Sequence, residues 1–147
     1  MTREEFTNVL DNYGYSYEIE GDRIIVTYRG SVFLESLTSL PPGVVFKNGG
    51  VVRLDYLTSL PPGVEFRNRG DVDLSALTSI SPGVEFKNEG NVRLDSLTSL
   101  PPGVVFKNGG DVGLKSIGEW FEYWKGNIEG IDSNRLLNVM IKQGVFI

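Results

Sequence analysis

Histidine and cysteine are both missing from this chain of 147 residues. The first absence removes the commonest general base and the commonest metal ligand. The second removes disulfides and thiolate chemistry, without deciding the compartment. No apolar run approaches the length of a membrane span, and Met1-Thr2-Arg3-Glu4-Glu5 lacks the apolar stretch of a secretion signal. A formal net charge of -5 gives no general attraction to nucleic acid. Carboxylate pairs are scarce too. Asp71 and Asp73 alternate along one strand, but their counterparts are Val51 with Arg53 and Asn91 with Arg93, so no acid/base dyad repeats. The chain therefore reads as a non-enzyme with no cofactor and no metal site, and the cytoplasm is its expected compartment.

What the chain does contain is repetition. Residues 31 to 110 are four consecutive copies of one 20-residue unit, starting at Ser31, Val51, Asp71 and Asn91. A fifth copy starts at Asp111 and is abandoned after Ser116. Positions 2, 4, 7, 10, 14 and 16 are apolar in every full copy, as in Val52, Leu54, Leu57, Leu60, Val64 and Phe66. The spacing at 2 and 4, and again at 14 and 16, is a period of two and predicts two short strands per unit. Between them, Leu57-Thr58-Ser59-Leu60-Pro61-Pro62-Gly63 combines missing backbone donors with a glycine, and predicts a bend. Asn68-Arg69-Gly70 supplies the other corner.

Such a unit has no room for a long helix. It predicts a mainly β fold: a β-solenoid, or leucine-rich-repeat-like stack of rungs, over residues 31–116. Parallel rungs about 4.8 Å apart stack like on like. Phe46, Phe66, Phe86 and Phe106 then form an interior stack, and Asn48, Asn68, Asn88 and Asn108 an internal ladder bonded to one another and to the turn backbone.

The chain ends read as caps of a single domain, 1–147. In the N-terminal cap, residues 1–30, Thr2 and Glu5 begin a helix that ends near Gly14, and Glu20-Gly21-Asp22 joins a hairpin. Its second strand falls in register with the repeat, since Ile24 and Val26 match Val44 and Phe46. In the C-terminal cap, residues 117–147, Trp120, Phe121, Tyr123 and Trp124 suggest an aromatic plug, with a brief helix from Ser116 to Gly126. A second helix, from about Ser133 to Lys142, presents Leu136, Leu137, Met140 and Ile141 on one face and stops at Gly144.

Three columns carry the candidate sites. Position 3 diverges most, through Phe33, Arg53, Asp73, Arg93 and Gly113, and position 6 includes Tyr56. Recognition columns of repeat proteins diverge while scaffold columns repeat. Phe33, Arg53, Tyr56 and Arg93 are therefore the candidate partner-binding residues. Position 17 is basic throughout: Lys47, Arg67, Lys87 and Lys107 form the alternative, anion-binding row, relieved in part by Glu65 and Glu85 at position 15. Position 5 is an acidic row of Glu35, Asp55 and Asp95, broken by Ser75. Two further patterns fail on inspection. Asn108-Gly109-Gly110-Asp111 lacks the second glycine and aspartate of a calcium-binding β-roll, and the Thr38, Thr58, Thr78, Thr98 column sits in the bends, not on a flat ice-binding strand.

Leu-Thr-Ser-Leu-Pro, at Leu37 to Pro41, Leu57 to Pro61 and Leu97 to Pro101, resembles the short leucine-rich repeats of bacterial effector proteins. In those repeats the asparagine follows a Leu-x-Leu strand, whereas here it follows Val64-Glu65-Phe66. The whole layout, with its Leu-Thr-Ser-Leu-Pro-x-Gly-Val-x-Phe-x-Asn rungs, is similar to small repeat proteins encoded by bacteriophages and their hosts. That resemblance implies a phage or bacterial origin and supplies no functional residues. The expected function is a binding module for an unidentified protein, inhibiting or sequestering it. The alternatives are an anion, nucleotide or nucleic-acid binder using the basic row, with nucleic acid disfavoured by net charge, and a structural spacer or assembly unit.

Overall fold

The computed structural model describes residues 1–116 and 133–146. Helix α1 (Arg3–Tyr13) starts where the Thr2 hydroxyl accepts from the Glu5 N–H at 3.1 Å, and ends at Gly14 in the left-handed region. Its Phe6 and Leu10 are fully buried against the first rung. Strands β1 (Tyr17–Glu20) and β2 (Arg23–Val26) form the hairpin. As the sequence register predicts, β2 then pairs in parallel with the repeat, Ile24 beside Val44 and Val26 beside Phe46.

From there the chain winds as a β-solenoid. Strands β4 (Val44–Phe46), β7 (Glu65–Phe66), β10 (Glu85–Phe86) and β12 (Val105–Phe106) extend the hairpin into a six-stranded sheet. Strands β3 (Val32–Phe33), β5 (Val52–Arg53), β8 (Val72–Asp73), β11 (Val92–Arg93) and β13 (Val112–Gly113) form a five-stranded parallel sheet. Every pairing within the repeats offsets the chain by one 20-residue unit, as Val52 with Val72 and Phe66 with Phe86. The apolar columns meet between the sheets in one buried cluster. Phe46, Phe66, Phe86 and Phe106 stack at its centre with ring centroids 5.2, 5.1 and 4.8 Å apart and planes within 6° of parallel.

One bend departs from the sequence expectation. Strands β6 (Ser59–Leu60) and β9 (Ser79–Ile80) pair in parallel, so the middle of the solenoid has a third side. The reason is a single residue. Position 11 is proline in three copies but Ser81 in the third, and the Ser81 N–H donates to the Leu60 carbonyl at 3.1 Å. Proline has no N–H to make that bond.

The asparagine ladder is also corrected. The side chains do not bond one another along the repeat. The Asn68 amide nitrogen instead donates to three backbone carbonyls: Gly50 in the preceding rung at 3.0 Å, and Gly70 and Asp71 in its own corner at 3.1 Å each. Asn48, Asn88 and Asn108 repeat this pattern. Each amide staples a corner to itself and to the rung before it. The corner must be glycine because rungs touch there: a Cβ on Gly70 would lie 2.8 Å from the carbonyl carbon of Gly50.

At the far end, α2 (Ser133–Lys142) buries Leu137, Met140 and Ile141 and ends at Gly144, φ 74°, whose N–H donates to Ile141. Asn138 completes the last rung. Its side-chain oxygen accepts from the Phe106 N–H at 2.7 Å and its nitrogen donates to the Phe106 carbonyl at 2.6 Å. In the rung before, the Phe86 carbonyl accepts from the Lys107 backbone N–H at 2.6 Å, so a side-chain amide stands where another strand would pair. The expected aromatic plug at Trp120, Phe121, Tyr123 and Trp124, and the brief helix around it, lie outside the described residues.

Candidate functional site

The divergent column lies on the outer face of the five-stranded sheet. Strand register aligns Phe33, Arg53, Asp73 and Arg93 in one row across four successive rungs. Phe33, Arg53, Asp73 and Arg93 line a groove of about 460 Å³ together with Val51, Asp71 and Asn91 at position 1. Tyr56 is 64% exposed but stands in the turn after Asp55 and does not line the groove. Three of the four predicted partner-binding residues are thus brought together, and the fourth flanks them.

The arginines of this row are already engaged. Arg53 meets Asp55 at 3.0 Å and Glu35 at 3.6 Å, and Arg93 lies 3.8 Å from Asp95 and 3.9 Å from Asp73. The acidic row at position 5 therefore serves the divergent row at position 3, an arrangement that holds the guanidinium groups along the sheet. Exposed pairs of this kind are weak. Position 1 has a structural use that sequence reading missed. The Ser31 hydroxyl, the Asp71 carboxylate and the Asn91 amide oxygen accept the backbone N–H of Val51, Asn91 and Asp111 at 3.0, 2.7 and 2.8 Å. Asp71 is therefore a link between rungs.

The basic row stands on the outer face of the six-stranded sheet, following the phenylalanines in the same register. Its middle is neutralised: Arg67 pairs with Glu65 at 2.9 Å and Lys87 with Glu85 at 3.0 Å. Lys47 and Lys107, beside Val45 and Val105, form no ion pair among the described residues. Glu65 is buried, and it takes a second guanidinium, Arg23 from β2, at 3.1 Å. Burial pushes its carboxyl up. The Arg23 hydrogen bond and the charges of Arg67, Arg23 and Lys87 outweigh that effect and hold it below the ordinary carboxylate value. Arg23 escaped sequence reading, although the match of Ile24 to Val44 already placed it at the mouth of this face.

A third surface also went unnoticed. Lys107 shares a groove of about 400 Å³ with Asn134, Arg135, Asn138 and Lys142 of α2. The available signal was the seven-residue spacing of Arg135 and Lys142, which puts both cations on one side of a helix.

Comparison with family models, curated proteins and solved structures finds no match to this chain. Among the described residues no helix is long and apolar enough to cross a membrane, and no group of three or more carboxylates is placed to hold a metal ion.

Proposed function

We propose that this chain is a non-enzymatic binding module, of phage or bacterial origin, that inhibits or sequesters a protein in the cytoplasm. The observation that carries the reading is the groove on the five-stranded sheet. Interior positions hardly change from rung to rung, yet the row that the register brings to one outward line runs Phe33, Arg53, Asp73, Arg93. A rigid backbone carrying unlike side chains at fixed spacing can discriminate one partner surface from another. An exposed phenylalanine at one end supplies an apolar anchor, and arginines held by carboxylates supply oriented donors.

The basic row supports an anion-binding reading less well, because Glu65 and Glu85 neutralise its centre. Two folded variants separate the readings by affinity capture from the native host. Changing Phe33, Arg53, Tyr56 and Arg93 together to Ala should lose the partner, while reversing Lys47, Arg67, Lys87 and Lys107 to Glu should keep it. The opposite result favours the anion binder. Retention by both variants would exclude both faces and direct attention to Trp120, Tyr123 and Trp124.

A further inference from the structure

The junction between the last rung and α2 gathers positive charge that no described residue balances. Lys107 leaves the end of β12, while Arg135 and Lys142 project from α2, and all three border the same groove of about 400 Å³. All three are exposed. Among the described residues, no acidic side chain lines the groove and none of the three cations forms an ion pair. This contrasts with Arg67 and Lys87 on the same sheet, which each have a glutamate at about 3 Å.

Structural needs account for only part of this arrangement. Lys142, in the last turn of α2, complements the helix dipole. Arg135, in the first turn, opposes it, so its charge is not explained by helix stability. The floor is rigid. Asn138 holds both polar groups of the Phe106 backbone, and Asn134 donates to the Asn108 carbonyl at 3.0 Å and to the Asn108 side-chain oxygen at 3.2 Å. Leu137 and Ile141 are buried beneath, so α2 is packed against the last rung and sets the backbone positions from which Arg135 and Lys142 extend. Three cations bordering one groove whose described lining holds no carboxylate suit phosphate recognition, and the arginine fork suits a phosphate oxygen pair. The volume falls within the range of small-molecule pockets, about 300–1,000 Å³, and exceeds the needs of a monatomic anion.

We infer that this groove is a binding site for a small di- or triphosphate, held by Lys107, Arg135 and Lys142. The site lies at the capped end of the solenoid and is independent of the protein-partner reading, which uses the other sheet. It also differs from a general attraction along the basic row, because it requires α2.

Isothermal titration calorimetry with pyrophosphate on the full chain tests the inference. Saturable binding is expected, and Arg135→Gln or Lys107→Gln should each weaken it roughly tenfold, the loss of one charge-assisted contact. Lys47→Gln, at the far end of the basic row, should change it by no more than about twofold, because exposed charges beyond a Debye length are screened. Thermal melts of the variants should match the parent, since each side chain is exposed. Absence of saturable binding by the folded parent would overturn the site. So would equal losses for Lys47→Gln and Arg135→Gln, which would mean diffuse attraction along the row. A ten-residue oligothymidylate or a polyglutamate peptide binding more tightly than pyrophosphate would also overturn it, since that would mean the extended basic row, not the groove at α2, holds the anion.

Discussion

The two long sheets share every rung, yet their outward faces repeat to very different degrees. On the six-stranded sheet, position 17 is Lys47, Arg67, Lys87 and Lys107, and the side chain two residues earlier decides whether the cation is paired. On the five-stranded sheet, position 3 runs Phe33, Arg53, Asp73 and Arg93, on a backbone with the same register. Nothing in the ladder forces that divergence, because both faces are built from parallel strands of the same spacing. The difference separates what a solenoid needs inside from what it can vary outside. It also shows that a uniform column is no surer sign of a binding face than a varied one. The basic row is uniform in sequence but uneven in charge once Glu65 and Glu85 are placed.

The largest expected effect lies inside both faces. Phe66→Ala or Phe86→Ala should lower stability by about 3–5 kcal/mol in a denaturant melt, because each ring is fully buried between two others and leaves a cavity that rigid rungs cannot close. A loss below that of any outward substitution would mean that the interior and exterior of the six-stranded sheet have been exchanged. Asn68→Ala comes next, at about 1–3 kcal/mol, since it strands the carbonyls that its side chain serves in two rungs. Hydrogen exchange should then quicken at the corner around Gly70 before it does so in β7.

The outward faces should respond less, and unequally. Glu65→Gln should cost about 1 kcal/mol, because both guanidinium partners are themselves well exposed and screened. Glu85→Gln, with a single lysine partner, should cost less. The Glu65 contribution also sets a pH dependence. Its folded-state pKa lies below the ordinary glutamate value of about 4.3 that holds in the unfolded chain. Its stabilisation is therefore fully present above that unfolded value and is lost as pH falls through the folded one. The stability gap between parent and Glu65→Gln should be flat near neutrality and close on acidification below about pH 4. A gap that widens in acid would remove Arg23 and Arg67 as its partners. Smallest of all should be the joint change of Phe33, Arg53, Tyr56 and Arg93 to Ala, which should leave the melting temperature close to that of the parent. A large drop would turn the divergent row from a recognition surface into part of the scaffold.

The repeat period, the apolar columns, the register of β2 and the apolar face of α2 were all legible in the residues. A 20-residue unit with two alternating pairs and fixed corners leaves few ways to bury its apolar side, so Ile24 could be matched to Val44 and Leu137 assigned to a core face before any coordinates. The third side was legible only in hindsight. One serine in a proline column looks like noise until the Leu60 carbonyl is seen to need its N–H. Of the site residues, Phe33, Arg53 and Arg93 were found by divergence, because variation between aligned copies is itself a sequence property.

Partnership was not legible, since it depends on distances between positions that the period does not relate. Arg23 reaches Glu65 across 42 residues, Asn138 reaches Phe106 across 32, and Lys107 meets the Arg135 side of α2 only because α2 closes the last rung. By itself, then, the sequence determined that this chain must coil, with a period of 20 residues, and which columns face inward, because burial of a repeated apolar pattern has few periodic solutions. Only the tertiary structure decided which charges are paired among the described residues, because ionic partnership follows separation in space, and caps and rungs approach each other without leaving any periodic trace in the chain.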